Sequence, residues 1–103
     1  MFYIMLKEIT PEELINKSPQ TIQIIDIREP YELVDGYILG NTNIPMGDIL
    51  DKKDQLSKTK DIIIYCNTGR RSRPVVYMTH KLHNYTLYNL KGGYKDFLKT
   101  STK

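Results

Sequence analysis

The stretch that most constrains this chain is an apolar run that ends on its only cysteine: Ile62-Ile63-Ile64-Tyr65 leads into Cys66, and the chain continues as Asn67-Thr68-Gly69-Arg70-Arg71-Ser72-Arg73-Pro74. Four β-prone residues in a row, with no polar alternation, predict a strand buried on both faces. The periodic stretch from Ser72 to Leu82 predicts a helix whose inward stripe is Val75, Val76, Met78, Thr79 and Leu82. Cys66 therefore stands where a buried strand hands over to a helix.

The rest of the chain repeats this alternation. A short first strand is expected around residues 3–6. Thr10-Pro11-Glu12-Glu13 has the pattern of a capping box, with Thr at the N-cap, Pro in the first turn and Glu at the third helical position. That helix should run to about Asn16, and Pro19 breaks it. Residues 21–27 are dense in β-branched side chains and predict a central strand buried on both faces, with Asp26 near its end. Pro30 and its neighbouring acids open a second short helix that Gly36 ends. Gly40 and Pro45 bracket a very short strand at 42–44, and residues 46–56 read as a short helix or two turns. Residues 85–88 form a last strand, Gly92-Gly93 a flexible turn, and a closing helix from Tyr94 frays into the polar tail 99–103.

Strand and helix in alternation predict an α/β fold: a central, mainly parallel sheet of four to five strands flanked by helices on both faces and joined by right-handed crossovers. Ligand sites in such sheets lie beyond the carboxyl ends of the strands. Asp26 and Cys66 both fall at such ends.

Composition narrows the function. With 103 residues and 40% hydrophobic content, the chain suits one domain over residues 1–103. A single cysteine excludes an internal disulfide framework and a multi-cysteine zinc site, which points to the reducing cytoplasm. The apolar start lacks a basic leader and a cleavage site, so no signal peptide is expected. No run approaches the ~20 apolar residues that span a bilayer. The net charge of +3 is scattered, with only Arg70, Arg71 and Arg73 clustered, which argues against nucleic acid. His80 and His83 share a helix but lack a third ligand, so no metal is expected there, and nothing calls for a cofactor.

A loop running from a strand into a helix turns backbone N–H groups toward one point, and the helix adds about half a positive charge at its start. The amides from Asn67, Thr68, Gly69, Arg70, Arg71 and Ser72 can thus cradle an anion, Gly69 permitting a positive φ. With Cys66 at the focus they would favour its thiolate, which could attack a sulfur donor and carry the sulfur as a persulfide. Position alone leaves the blander reading open: a small buried hydrophobe at a strand end.

The pattern Cys66, Gly69, Arg71, Ser72 resembles the active-site loop of the rhodanese family of sulfurtransferases, and three further segments follow in the family's order. Asp26-Ile27-Arg28-Glu29-Pro30-Tyr31-Glu32 is similar to its Asp-x-Arg-x-x-x-Glu segment. Gly36-Tyr37-Ile38-Leu39-Gly40-Asn41 with Asn43-Ile44-Pro45 is similar to its Gly-His-Ile-Pro-Gly-Ala…Ile-Pro segment. Leu90-Lys91-Gly92-Gly93-Tyr94 resembles its Leu-x-Gly-Gly followed by an aromatic. Tyr37 stands where the family usually has His, Leu39-Gly40-Asn41 where it has Pro-Gly-Ala, and Pro74-Val75-Val76 replaces an Ala-rich helical turn.

The resemblance implies a rhodanese-like fold, a persulfide at Cys66, a small sulfur donor such as thiosulfate or a persulfide, and a thiol or cyanide acceptor. A protein acceptor is a further partner class. In such a domain Asp26 and Arg28 give structural support to the loop after their strand. Two other functions compete. Phosphatase or arsenate reductase loops place Arg after five intervening residues, a position held here by Ser72. A non-catalytic sulfur-relay or docking module would keep the fold without turnover.

Overall fold

A computed structural model describes residues 7–79 and 85–101. Five strands form one sheet: β1 (Glu8–Ile9), β2 (Ile22–Asp26), β3 (Thr42–Asn43), β4 (Asp61–Tyr65) and β5 (Thr86–Leu90). Their order is β1-β5-β4-β2-β3, and all four pairings are parallel. The helices are α1 (Pro11–Ile15), α2 (Ser72–Thr79) and α3 (Gly93–Ser101). The expected first strand at residues 3–6 lies outside the described residues; β1 follows it.

β4 is the middle strand, and Ile62, Ile63, Ile64 and Tyr65 are all buried. Its side chains alternate between two cores, as a pleated strand requires. Ile62 and Ile64 join Ile25, Ile27, Ile44, Ile49, Leu56, Val75 and Val76 on one face. Ile63 and Tyr65 join Ile9, Leu14, Ile38 and Leu90 on the other, with Tyr94 and Phe97 of α3 packed against them. Helices thus cover both faces. Each of these large apolar side chains contributes about 1.5–3 kcal/mol on burial, which holds the carboxyl end of β4 in place.

The capping box forms: Thr10 Oγ1 accepts the Glu13 N–H at 3.1 Å while Glu13 Oε1 accepts the Thr10 N–H at 2.9 Å. Four local expectations differ from the structure. The second helix is a 3-10 turn, Pro30–Asp35, whereas residues 46–56 take the second of their two expected forms, two short turns, Met46–Asp48 and Lys53–Gln55. On β2, Gln23 is only partly buried, because its side chain donates to the Gln55 carbonyl at 2.8 Å and accepts the Ser57 N–H at 2.7 Å. Met78 is 62% exposed; at about 100° per residue, centring Val75, Val76 and Thr79 on the core swings it outward, and Leu82 lies outside the described residues. Finally, α3 stays helical to Ser101, held by Phe97 against the core and by Thr100 donating to the Asp96 carbonyl at 3.2 Å.

Candidate active site

The parallel register brings the ends of β2 and β4 together, since Asp26 pairs with Tyr65 and the Ile27 N–H donates to the Tyr65 carbonyl at 3.0 Å. Cys66 comes next. Its carbonyl accepts the Tyr94 N–H at 2.9 Å, and the Asn67 carbonyl accepts the Lys95 N–H at 3.0 Å. These amides belong to the first turn of α3, where a helix has no internal acceptors for them. Gly93 makes this approach feasible: its φ is +63°, and a Cβ there would lie 2.6 Å from both the Cys66 and the Asn67 carbonyl oxygens. Gly92-Gly93 is therefore a close-contact joint between α3 and the loop, more constrained than the flexible turn its composition predicts.

The loop then turns back over the sulfur. Gly69, at φ +92°, donates its N–H to Cys66 Sγ at 3.1 Å, and the Ser72 hydroxyl lies 3.4 Å from the same sulfur. Ser72 opens α2, and the Arg73 N–H donates to the Gly69 carbonyl at 3.1 Å. Cys66 is 1% exposed. Burial pushes its thiol up, but the Ser72 hydroxyl and the amides of Ser72, Thr68 and Arg71 pull harder, leaving the thiol below its ordinary value. Asn67, Thr68 and Arg70 stand exposed on the rim, Arg71 is half-buried, and Gly69 and Ser72 are buried beneath it.

The three arginines diverge. Arg71 meets Glu32 of the Pro30–Asp35 turn fork to fork, with Nη1 to Oε2 at 2.8 Å and Nη2 to Oε1 at 2.7 Å. Those hydrogen bonds lead the causes that hold the Glu32 carboxyl down at about 2, and the Arg71 guanidinium is raised in turn. Arg73 reaches the other way, its Nε 3.6 Å from Glu8 Oε2. Arg71 also feels the charge of Cys66, so a cation stays beside the sulfur while its fork is occupied.

Asp26 and Arg28 form a buried pair behind the loop, with Nη2 to Oδ2 at 2.8 Å. Arg28 also donates to the Gly36 carbonyl at 2.9 Å and lies 4.8 Å from the centre of the Tyr94 ring. It thereby ties the turn carrying Glu32 to the sheet. Tyr65 OH accepts the Ile38 N–H at 3.1 Å, which fixes the segment containing the Tyr37 and Leu39-Gly40-Asn41 departures. Tyr37 itself is half-exposed, and the Asn41 side chain donates to the Ile38 carbonyl at 2.8 Å.

Three partners escape the sequence. Glu32 carries a faint signal, its spacing from Asp26 and Arg28. Asn89 carries another, an amide between apolar neighbours on a buried strand. Glu8 carries none. Ser72 Oγ donates to Asn89 Oδ1 at 2.5 Å, and Asn89 Nδ2 donates to Glu8 Oε2 at 2.8 Å. His80 and His83 lie outside the described residues; among the described residues no group of three or more His, Cys, Asp or Glu could hold a metal ion. Nor is any helix there long and apolar enough to cross a membrane.

A thiol lowered by converging amides at a strand end is equipped to act as a nucleophile and to hold negative charge on a second atom beyond the sulfur. The family model described as Rhodanese-like domain matches residues 10–100. The chain is 35% identical to the uncharacterized protein YqhL of Bacillus subtilis (strain 168), over 88% of this chain and 71% of that protein. It is 33% identical to a protein of Allochromatium vinosum named Sulfurtransferase, over 86% of this chain and 85% of that one. The solved structure of a rhodanese-related protein from Thermoplasma volcanium superposes with a TM-score of 0.83 at 26% identity, covering 91% of this chain and 92% of that one.

Proposed function

We propose, from the premise that this chain belongs to the rhodanese-like domain family, that residues 1–103 form one domain acting as a sulfurtransferase through a persulfide on Cys66. The observation that carries the reading is the Gly69 N–H on Cys66 Sγ at 3.1 Å, inside a loop whose helix opens at Ser72.

In the first half-reaction the Cys66 thiolate attacks the outer sulfur of thiosulfate. The new S–S bond forms as the old one breaks, and sulfite leaves with the electron pair. A low-molecular-weight persulfide would serve equally, releasing its thiolate. The terminal sulfur of the Cys66 persulfide then carries the negative charge, and the amides from Asn67 to Ser72 hold it by hydrogen bonding and by the helix dipole. In the second half-reaction an acceptor thiolate, or cyanide in an assay, attacks that outer sulfur. The S–S bond breaks, its electron pair returns to Cys66 Sγ, and no proton or electron is left over.

Cys66 is the catalytic residue in this scheme, and Asn67, Thr68, Gly69, Arg70, Arg71 and Ser72 bind substrate. Asp26 and Arg28 support the loop structurally. A thiolate that must stay reduced suits the cytoplasm. The test is mass analysis after thiosulfate treatment: the protein should gain one sulfur, and Cys66→Ser should gain none. No gain with thiosulfate or with low-molecular-weight persulfides would sink the reading.

The burial of Cys66, 1% exposed, favours a second reading, a docking or sulfur-relay module without turnover of small donors. A thiol unreactive toward iodoacetamide below pH 7, together with no sulfur uptake, would select it.

A further inference from the structure

Behind Cys66 runs a chain of hydrogen bonds that the sulfur-transfer scheme does not use. Ser72 Oγ lies 3.4 Å from Cys66 Sγ, Asn89 Oδ1 lies 2.5 Å from Ser72 Oγ, and Glu8 Oε2 lies 2.8 Å from Asn89 Nδ2. Cys66 and Asn89 are each 1% exposed and Ser72 is 0% exposed. None of the three can exchange its partner for water without opening the fold.

The direction of this chain follows from counting protons. A carboxylate only accepts, so Asn89 must turn its Nδ2 toward Glu8 and its Oδ1 toward Ser72. Ser72 has one proton, and Asn89 Oδ1, an acceptor with no other partner among the described residues, claims it. The lone pairs of Ser72 Oγ then face the sulfur, an arrangement that suits a thiol S–H and repels a thiolate. Ionising Cys66 asks Ser72 to swing its proton to the sulfur, which strands a buried amide oxygen at its full desolvation cost. The help that Ser72 gives the thiolate is thus conditional on Asn89 releasing its proton.

We propose that Glu8, on the edge strand β1, is a positioning residue for Cys66: by fixing the Asn89 amide it sets which way the Ser72 hydroxyl points and so holds the sulfur toward its thiol form. The converse follows. With Gln at position 8, the amide at that position can donate to Asn89 Oδ1, Asn89 Nδ2 to Ser72 Oγ, and Ser72 to the sulfur. Every polar group is then satisfied around a thiolate. The relay opposes the loop amides, so Glu8 restrains a nucleophile that its own cradle activates.

Of the other charges on the elements around Cys66 and Glu8, Arg73 loses its ion-pair partner when Glu8 changes, whereas Arg71 and Asp26 keep theirs. Arg71 is held by Glu32, and Asp26 by Arg28. Arg73 of α2 shares Glu8 Oε2 at 3.6 Å, and Lys7 leans over the Tyr88 ring at 5.8 Å. Lys91 follows β5, and Lys95, Asp96 and Lys99 lie on α3, where Asp96 and Lys99 pair at 3.7 Å.

The proposal deepens the sulfurtransferase reading, on which its relevance to turnover rests, but it is tested without any sulfur donor. The measurement is the pH dependence of iodoacetamide alkylation of Cys66 in the full chain, for the unchanged protein, Glu8→Gln, Ser72→Ala and the double variant. Glu8→Gln should move the midpoint to lower pH, giving alkylation about threefold faster or more one pH unit below the original midpoint. In the Ser72→Ala background the same substitution should change little. An unchanged Glu8→Gln profile, or an equal shift in both backgrounds, overturns the relay; the latter would mean charge acting through space. Asn89→Leu is a second background that breaks the relay should Ser72→Ala not fold. Absence of sulfur uptake would overturn the sulfurtransferase reading and leave these profiles unaffected.

Discussion

Arg71 and Glu32, 39 residues apart, are joined by two parallel hydrogen bonds of 2.8 and 2.7 Å across the mouth of the loop. The bonds from Arg71 are the first cause that lowers the Glu32 carboxyl from 4.5 to about 2. A carboxyl depressed on folding stabilises the fold fully above its unfolded value, and that contribution is lost as pH falls through the folded value. The Glu32 contribution to the urea midpoint should therefore be constant above about pH 5 and be lost toward about pH 2. Glu32→Gln should make that acid limb shallower while costing at most about 1 kcal/mol at neutral pH, since Arg71 is partly solvated. An acid limb identical in the two proteins would refute the assignment.

The Cys66 thiol is lowered despite its burial. Its alkylation rate should rise with pH and level off below the ~8.5 of a free cysteine. Sulfur uptake should fall on the acid side with the same midpoint, because protonation removes the nucleophile. A profile matching that of a small thiol would contradict the cradle.

Gly93 and Gly40 both adopt positive φ, +63° and +86°, but only Gly93 has backbone within reach of an added Cβ. Gly40→Ala should cost about 1–2 kcal/mol from conformation alone. Gly93→Ala adds a clash with the Cys66 and Asn67 carbonyls and should cost about 3 kcal/mol or more. It should also depress sulfur uptake, whereas Gly40→Ala should not. Urea denaturation of the two variants, with uptake assays alongside, checks the contrast.

Arg28→Met leaves the Asp26 carboxylate buried and unpaired, which should cost about 3–5 kcal/mol. Arg71→Met at the half-exposed pair should cost about 1 kcal/mol or less. Equal losses in denaturant titrations would show that burial does not separate the two arginines.

What could be read from the chain was whatever its chemistry keeps local. The capping box of Thr10 and Glu13 spans one turn, so the residue types at that spacing already specify it. The isoleucine run of β4 and the handover to α2 at Ser72 were legible for the same reason. Met78 was misplaced because periodicity alone does not say on which residues a helix's apolar stripe is centred against the sheet. Gly92-Gly93 looked loose because composition shows a glycine's freedom and hides the carbonyls it admits.

By itself, the sequence determined the alternation of strands and helices and the position of the one cysteine at the end of a buried strand, since β-branched runs, caps and glycines act over a few residues. Only the tertiary structure decided where the charges and protons go. Arg71 turns to Glu32 and Ser72 to Asn89, with Asn89 bound in turn to Glu8, 81 residues away in the chain. Those pairings depend on which strand ends the parallel register lays side by side. A hydrogen bond is specific only at about 3 Å, so its partners are named by the packing that sets that distance.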